Sequence, residues 1–75
     1  MDKDTIQLLI HYIFDDNSYE YDDNLICCDI SINKFKFTFT HYEIFDDIIR
    51  FYFDDSYVGG IFLDEVTSIS EMYHN

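Results

Sequence analysis

Basic residues are scarce in this 75-residue sequence. There are only four of them, Lys3, Lys34, Lys36 and Arg50, against sixteen Asp and Glu residues, and the formal net charge is −12. A nucleic-acid-binding protein shows the opposite sign. The acidity also exceeds what solubility requires, and repulsion among so many carboxylates destabilises a folded state. The charge therefore indicates a surface that contacts something basic.

Proline is absent, and no linker, low-complexity segment or tandem repeat divides the chain. Residues 1–75 are therefore predicted to form a single domain. A chain of this length buries only about 60% of the surface that its unfolded form exposes. Eight Phe, seven Tyr and many Ile offset this by supplying a large apolar area, so we expect a folded chain.

Cysteine is limited to the adjacent pair Cys27-Cys28, which a disulfide bond would strain. Both thiols are expected to be reduced, as in a cytoplasmic protein. No apolar run approaches the ~20 residues of a membrane-spanning helix. The charged N-terminus does not resemble a signal peptide. We expect a cytoplasmic protein with no membrane association.

The N-terminal segment has helical periodicity. Residues 5–15 are predicted to form an amphipathic helix, because apolar residues recur on one of its faces. Asp4 is the predicted N-cap, and Gln7 lies where it would complete a capping box.

Residues 18–40 are predicted to form a three-stranded antiparallel meander. Two-residue turns at Asp23-Asn24 and Asn33-Lys34 give one consistent apolar face, which supports this register. The predicted pairs are Ile32 with Phe35, Ile30 with Phe37, Cys28 with Phe39, Tyr21 with Ile26, and Tyr19 with Cys28.

The second half of the chain is predicted to be helical. Residues 42–54 fit an amphipathic helix that ends before Gly59-Gly60. Apolar residues over 61–73 favour a third helix, although residues 66–70 also have strand propensity. The predicted fold class is therefore α+β: an N-terminal helix, a three-stranded antiparallel β-meander, and two C-terminal helices packed on one sheet face.

Most aromatic residues are assigned to the core by these periodicities. The predicted core rings are Phe35, Phe37, Phe39, Phe45 and Phe53. The surplus tyrosines Tyr57 and Tyr73 are candidate interface anchors, since tyrosine is frequent at protein interfaces.

An aromatic residue followed by two aspartates recurs at residues 14–16, 21–23, 45–47 and 53–55. Adjacent carboxylates on a helix do not converge on a metal, and the spacing of a calcium-binding loop is absent. A catalytic carboxylate pair needs a cleft, for which so short a chain has little room. His11 and Asp15 are interpreted as a surface contact. We predict no enzyme activity, no metal and no cofactor.

The acidic residues are predicted to form a partner-binding ridge. On the predicted helix over 42–54 they share one stripe, where neighbours stand ~5–6 Å apart. Basic nucleic-acid sites bind largely through phosphate neutralisation, and a rigid acidic protein can occupy such a site instead. The predicted stripe on this helix consists of Glu43, Asp46, Asp47 and Asp54.

In size, charge and predicted element order the chain resembles the small acidic phage anti-CRISPR proteins that inhibit Cas9 by mimicking DNA. More loosely, it is similar to phage inhibitors of uracil-DNA glycosylase and of restriction enzymes. The resemblance implies a phage- or mobile-element-encoded inhibitor in the host-cell cytoplasm. It would occupy the groove of a CRISPR effector that reads the protospacer-adjacent motif, act as a monomer, and bind no nucleic acid itself. The positions that match the binding acids of that family are Glu20, Asp22, Asp23, Asp46, Asp47, Asp54, Asp55, Asp64 and Glu65. Together with Glu43 of the stripe they make ten predicted partner-binding residues.

Two other readings fit the same sequence. An immunity protein or antitoxin that neutralises a basic nuclease toxin would share these electrostatics. A structural or regulatory phage protein could carry its acidity for solubility alone, and neutralising its acids would then change only its stability.

Overall fold

The computed structural model describes residues 1–72, and in that range it contains one α-helix and seven strands arranged in two antiparallel sheets. The elements are α1 (Lys3–Asn17), β1 (Tyr19–Asp22), β2 (Leu25–Ile32), β3 (Phe35–Phe39), β4 (His41–Phe45), β5 (Ile48–Phe53), β6 (Ser56–Phe62), the 3₁₀ turn η1 (Leu63–Glu65) and β7 (Ile69–Glu71). Over residues 1–72 the chain is mostly β with one helix. The predicted α+β class with two C-terminal helices is wrong.

The predicted N-terminal helix is present, but it begins earlier than expected. Asp2, and not Asp4, is the N-cap, and its carboxylate accepts a hydrogen bond from the Thr5 N–H at 2.7 Å. That bond lowers the pKa of Asp2. Ile6 and Ile10 are fully buried, and they pack α1 against β2 and β7.

Sheet 1 is built around β2. One edge of β2 pairs with β3, in the register that the sequence predicts: Ile32 opposite Phe35, Ile30 opposite Phe37, and Cys28 opposite Phe39. The Asn33-Lys34 turn has φ values of 52° and 73°, as a type I′ hairpin turn requires.

The other edge of β2 is shared by two short strands. β1 pairs with its first half and β7 with its second half. The predicted β1 register is wrong by one residue, because Tyr19 lies opposite Cys27 and Glu20 opposite Ile26. An irregularity between Glu20 and Asp22 shifts the strand, and such a bulge is not visible in the alternation of apolar residues.

Sheet 2 is the meander β4-β5-β6, and it replaces the predicted helix over 42–54. The segment turns back on itself at Asp46-Asp47, and β5 is paired on both edges. Its residues are mostly β-branched or aromatic, and these fit a strand as well as a broad helical arc. Pairing on both sides decides in favour of the strand.

The predicted helix over 61–73 is also wrong. The segment instead holds the end of β6, η1, an extended stretch and β7, and Tyr73 lies outside the described residues. The Asn33 side chain fixes the extended stretch, because its oxygen accepts hydrogen bonds from the backbone N–H groups of Thr67 (2.8 Å) and Ser68 (3.1 Å).

The two glycines lie inside β6 and do not end an element. Gly59 has φ +149°, and a Cβ atom there would stand 2.9 Å from the ring of Phe37. Phe37 in turn stacks on Phe51, with ring centroids 4.8 Å apart. The glycine therefore lets the two sheets approach closely at the core.

The core lies between α1 and the inner faces of both sheets. Phe39 and Phe51 are its largest fully buried side chains, and their ring centroids are 4.9 Å apart. Cys28 is also fully buried and both cysteines are free thiols. Within residues 1–72, no helix is long and apolar enough to cross a membrane.

Candidate partner-binding surface

At residues 45–47 and 53–55 the aromatic-Asp-Asp phrase marks the end of a strand and the turn that follows it, whereas Phe14-Asp15-Asp16 lies within α1. Phe45 ends β4 and Phe53 ends β5, and in both cases the next two aspartates form the turn. Asp46, Asp47 and Asp54 have φ values of 52°, 62° and 55°. Asp and Asn tolerate this left-handed region better than most residues. Part of the acidic repetition is therefore explained by turn geometry.

All ten predicted partner-binding residues are exposed, but they do not form one ridge. The first acidic cluster lies where β6 runs into η1. There the backbone N–H of Leu63 donates a hydrogen bond to the carbonyl oxygen of Asp47 at 2.8 Å, which joins η1 to the β4–β5 turn. The members of this first acidic cluster are Asp46, Asp47, Asp64 and Glu65.

The second acidic cluster lies at the opposite end of β5. The ring of Tyr21 packs edge-on against the ring of Phe53, with centroids 5.0 Å apart and planes at 82°. Each ring directly precedes an acidic pair, so this contact brings the β1–β2 and β5–β6 turns to the same end of the molecule. The members of this second acidic cluster are Asp22, Asp23, Asp54 and Asp55.

The predicted helical stripe is therefore wrong. The six residues of β5 separate the two clusters, which at about 3.3 Å per residue corresponds to about 20 Å. Asp46 and Asp47 belong to one end and Asp54 to the other. Glu20 lies on β1 and Glu43 on β4, and both lie outside the two clusters.

Between the clusters, sheet 2 presents an outer face to solvent. Strand register aligns its side chains in three rows across β4, β5 and β6. The rows of this outer face are His41–Tyr52–Tyr57, Glu43–Arg50–Gly60 and Phe45–Ile48–Phe62.

Two large rings on the outer face are exposed although nothing in the sequence singled them out as surface residues. Phe45 is 64% exposed and Phe62 is 53% exposed. Phe45 was predicted to be core, as was Phe35, which is 67% exposed; both predictions are wrong. Two strands joined by the Asp-Asp turn place Ile44 and Ile49 on one face and Phe45 and Ile48 on the other. This alternation is the sequence signal that indicates the outer face. Exposed rings beside charged rims are typical of interaction surfaces.

Polar contacts organise the middle of the outer face. The Tyr52 hydroxyl donates a 2.7 Å hydrogen bond to the Glu43 carboxylate, and this bond raises the pKa of Tyr52. The Tyr52 ring stacks on His41 with centroids 5.1 Å apart and planes at 7°. Arg50 lies opposite Glu43 in the ladder but forms no salt bridge with any residue in the range 1–72.

The one buried acid, Asp29, has a different role. Its carboxylate accepts hydrogen bonds from the hydroxyls of Tyr19 and Thr38, and the Lys36 ammonium lies 4.0 Å away. Burial raises the pKa of Tyr19, and a hydrogen bond with Cys27 and the charge of Asp29 act in the same direction. Each hydroxyl donates to the carboxylate, so the group is satisfied internally and fixes β1, β2 and β3 together.

The described residues contain no cluster of potential metal ligands. Among residues 1–72 no three His, Cys, Asp or Glu side chains could together hold a metal ion. His11 lies 3.6 Å from Asp15 on the exposed side of α1, the surface contact expected from the sequence.

No family model matches the chain, and neither a curated protein nor a solved structure does.

Proposed function

We propose that the protein is a non-catalytic inhibitor that occupies the nucleic-acid-binding site of a basic protein by acidic mimicry. One observation carries the proposal: within residues 1–72, none of the ten predicted partner-binding carboxylates is in a salt bridge. An exposed carboxylate without an internal counter-charge keeps its attraction for an external one.

The density of charge supports a mimic of nucleic acid. Every acid except Asp29 is exposed, which leaves fifteen of sixteen along a molecule 36 Å long. That is roughly one charge per 2.4 Å, against one per about 1.7 Å of duplex DNA. Two clusters about 20 Å apart would contact two basic patches on a partner, with the outer face of sheet 2 between them.

A CRISPR effector such as Cas9 is the target proposed first, in its groove for the protospacer-adjacent motif. Size and charge connect the chain to anti-CRISPR proteins, whereas its element order does not, because the predicted C-terminal helices are strands. A basic nuclease toxin offers a similar site, and an immunity protein would compete for it in the same way.

The test is a competition for a purified effector. A fluorescent DNA duplex bound to a guide-loaded Cas9 is titrated with the protein, and anisotropy reports displacement. We expect displacement that weakens by about tenfold or more between about 50 and about 200 mM salt, because the contacts are ionic. The same titration against a basic nuclease toxin distinguishes the two kinds of target. If the protein displaces nucleic acid from neither target, the mimicry is contradicted.

A charge-reversal pair sharpens the test. Changing Asp46, Asp47 and Asp54 to Lys should weaken displacement by about a hundredfold, since attractive contacts become repulsive at both clusters. The control changes Asp4, Asp15 and Asp16 to Lys, which alters the net charge equally on α1 and leaves its N-cap Asp2 in place. Equal effects of the two variants would show that only overall charge matters, and no effect of either would favour acidity for solubility alone.

A further inference from the structure

The edge of sheet 2 formed by β6 is unusually unprotected. β6 is the last strand of its sheet, and its sequence SYVGGIF contains no charge and no proline over seven residues. Natural edge strands are commonly blunted by Lys, proline or a bulge. The irregularity in β6 lies near Tyr57, and beyond it residues 59–62 pair one to one with residues 48–51, although Gly59 has φ +149°.

Backbone hydrogen bonds show which peptide groups face that edge. Leu63 N–H donates to Asp47 C=O, on one side of the directly opposed pair Ile48 and Phe62. Hydrogen-bonded and non-hydrogen-bonded pairs alternate along an antiparallel ladder. Asp47 with Leu63 is a hydrogen-bonded pair, so Ile48 with Phe62 is a non-hydrogen-bonded pair and Ile49 with Ile61 is again a hydrogen-bonded one. The N–H and C=O of Gly60 and Phe62 therefore point away from β5.

An apolar groove runs along this edge. It has a volume of about 540 Å³ and lies between β3 and β6, with Phe35 and Phe37 on one wall and Gly60, Ile61 and Phe62 on the other. Ligand pockets in proteins span about 300–1,000 Å³. The exposed rings of Phe35 and Phe62 flank the groove, so an occupant would cover apolar surface that is now in contact with solvent.

The acidic residues around the groove indicate that its occupant is basic. Asp54-Asp55 precedes β6, Asp64-Glu65 follows it, and Glu65 itself lines the groove. Lys36 is also at the groove, and its ammonium lies 4.0 Å from the Asp29 carboxylate, but the four acids at the two ends of β6 outnumber this one cation. A second copy is disfavoured, because antiparallel β6–β6 pairing would bring the acidic end of one copy against that of the other.

We propose that this groove binds an extended segment of the basic partner protein, which adds as a strand to the edge of β6. The inference rests on the proposed function and specifies which part of the protein contacts the basic partner. Main-chain groups of the segment pair with Gly60 and Phe62, alternate apolar side chains contact Phe35 and Phe62, and Lys or Arg residues at its ends meet the acidic pairs.

The probe is the peptide acetyl-KKVTITVKK-amide, with KKVTPTVKK and EEVTITVEE as controls. Amide NMR follows the full-length protein during titration. We expect shifts centred on Gly60, Ile61 and Phe62, and slower hydrogen exchange of the Gly60 and Phe62 amides. The proline peptide should bind more weakly because it lacks one ladder donor, and the acidic peptide should not bind. No binding of the first peptide, or shifts confined to the acidic turns, overturns the proposal.

A pair of variants isolates the main-chain contact. Phe62 has φ −69°, which proline adopts without strain, and its N–H is not used by β5. Phe62→Pro and Phe62→Ala both remove the ring, but only the first removes the edge donor. Peptide affinity should be about three- to tenfold lower for Phe62→Pro than for Phe62→Ala, as for one lost hydrogen bond. Equal affinities refute strand addition.

The two proposals fail in different ways. If the protein displaces DNA from its target and Phe62→Pro does so as well as Phe62→Ala, the acidic mimicry stands and the β6 contact is wrong. If the peptide binds β6 as described and no basic protein loses its nucleic acid, the groove stands and the mimicry is wrong. Concentration-dependent protection of Gly60 without peptide would instead show self-pairing, and it would overturn the choice of partner.

Discussion

The hydroxyl oxygen of Thr40 accepts a hydrogen bond from the backbone N–H of Asp54 at 2.9 Å. Thr40 lies at the bend between β3 and β4, and its own N–H donates to the carbonyl oxygen of Tyr52 at 2.8 Å. One residue thus fixes the junction of the two sheets to an acidic turn. The second acidic cluster is held in place by this bond as well as by the packing of Tyr21 on Phe53.

Thr40→Val should test that connection. The variant keeps the shape of the side chain but leaves the Asp54 N–H without its acceptor, and we expect the free energy of unfolding to fall by about 1–2 kcal/mol. Thr40→Ser retains the hydroxyl and should lose much less. Urea unfolding measures both variants, and a larger loss for Thr40→Ser than for Thr40→Val would mean that the methyl group, rather than the hydroxyl, is the important part.

The β4–β5 turn should show a conflict between stability and binding. Asn-Gly is the preferred pair for a type I′ turn, so Asp46→Asn with Asp47→Gly should stabilise the protein by about 1 kcal/mol. The same change removes two of the four charges of the first acidic cluster and should weaken partner binding. Thermal unfolding and the DNA competition assay measure the two effects. A variant that is more stable and equally active would remove this turn from the binding surface.

Gly59 should be intolerant of substitution. Gly59→Ala adds a Cβ atom 2.9 Å from the Phe37 ring at φ +149°, where a side chain is strained, and we expect a loss of about 1–3 kcal/mol. Adding Phe37→Leu relieves the contact but not the backbone strain, so it should restore only part of the loss, measured against Phe37→Leu alone. Full recovery in the chemical unfolding of the double variant would assign the whole cost to the ring.

Alkaline pH should weaken the fold. Burial raises the pKa of Cys28 to about 11, and the charges of Asp29 and Cys27 add to the effect. The unfolded thiol ionises first, near its ordinary pKa of about 8.5, so the unfolded state releases its proton earlier. Stability should therefore decline as the pH rises from about 8.5 towards about 11, and it should decline less in Cys28→Ala.

Guanidinium unfolding at several pH values measures this decline. Burial also raises the pKa values of Tyr19 and Tyr42, so part of the decline of stability with rising pH should persist in Cys28→Ala. Identical slopes in the two proteins would show that the Cys28 thiol is not protected by the fold. A thiol reagent offers an independent measure, because the buried Cys28 should react only on unfolding.

The β2–β3 hairpin was predictable because local and global signals agree there. Asn33-Lys34 supplies a turn, and Ile30 and Ile32 alternate with polar residues in the strand that precedes it. The prediction for residues 42–54 was wrong for the opposite reason. Isoleucine and aromatic residues occur there at so many positions that the helical period and the strand period are both satisfied. The decision between them comes from pairing with β6, whose own strand character is hidden by Gly59-Gly60.

The candidate surface was predictable in its composition but not in its layout. Exposure of the ten acids follows from charge alone, since an unpaired carboxylate is rarely buried. Their division into two clusters depends on where Asp47 meets Leu63 and where Tyr21 meets Phe53. Both contacts join segments that are distant in sequence, so no local pattern indicates them.

The sharing of one edge of β2 by β1 and β7 has a consequence for how the chain acquires its structure. β1 reaches that edge through a two-residue turn, whereas β7 pairs Ile69 with Ile32 across 37 residues, about half of the chain. Closure over so long a separation is entropically slow. On the ribosome the helix and the hairpins can form early, but sheet 1 stays incomplete until residue 71 emerges. The last residues translated in this range therefore complete the hydrophobic core.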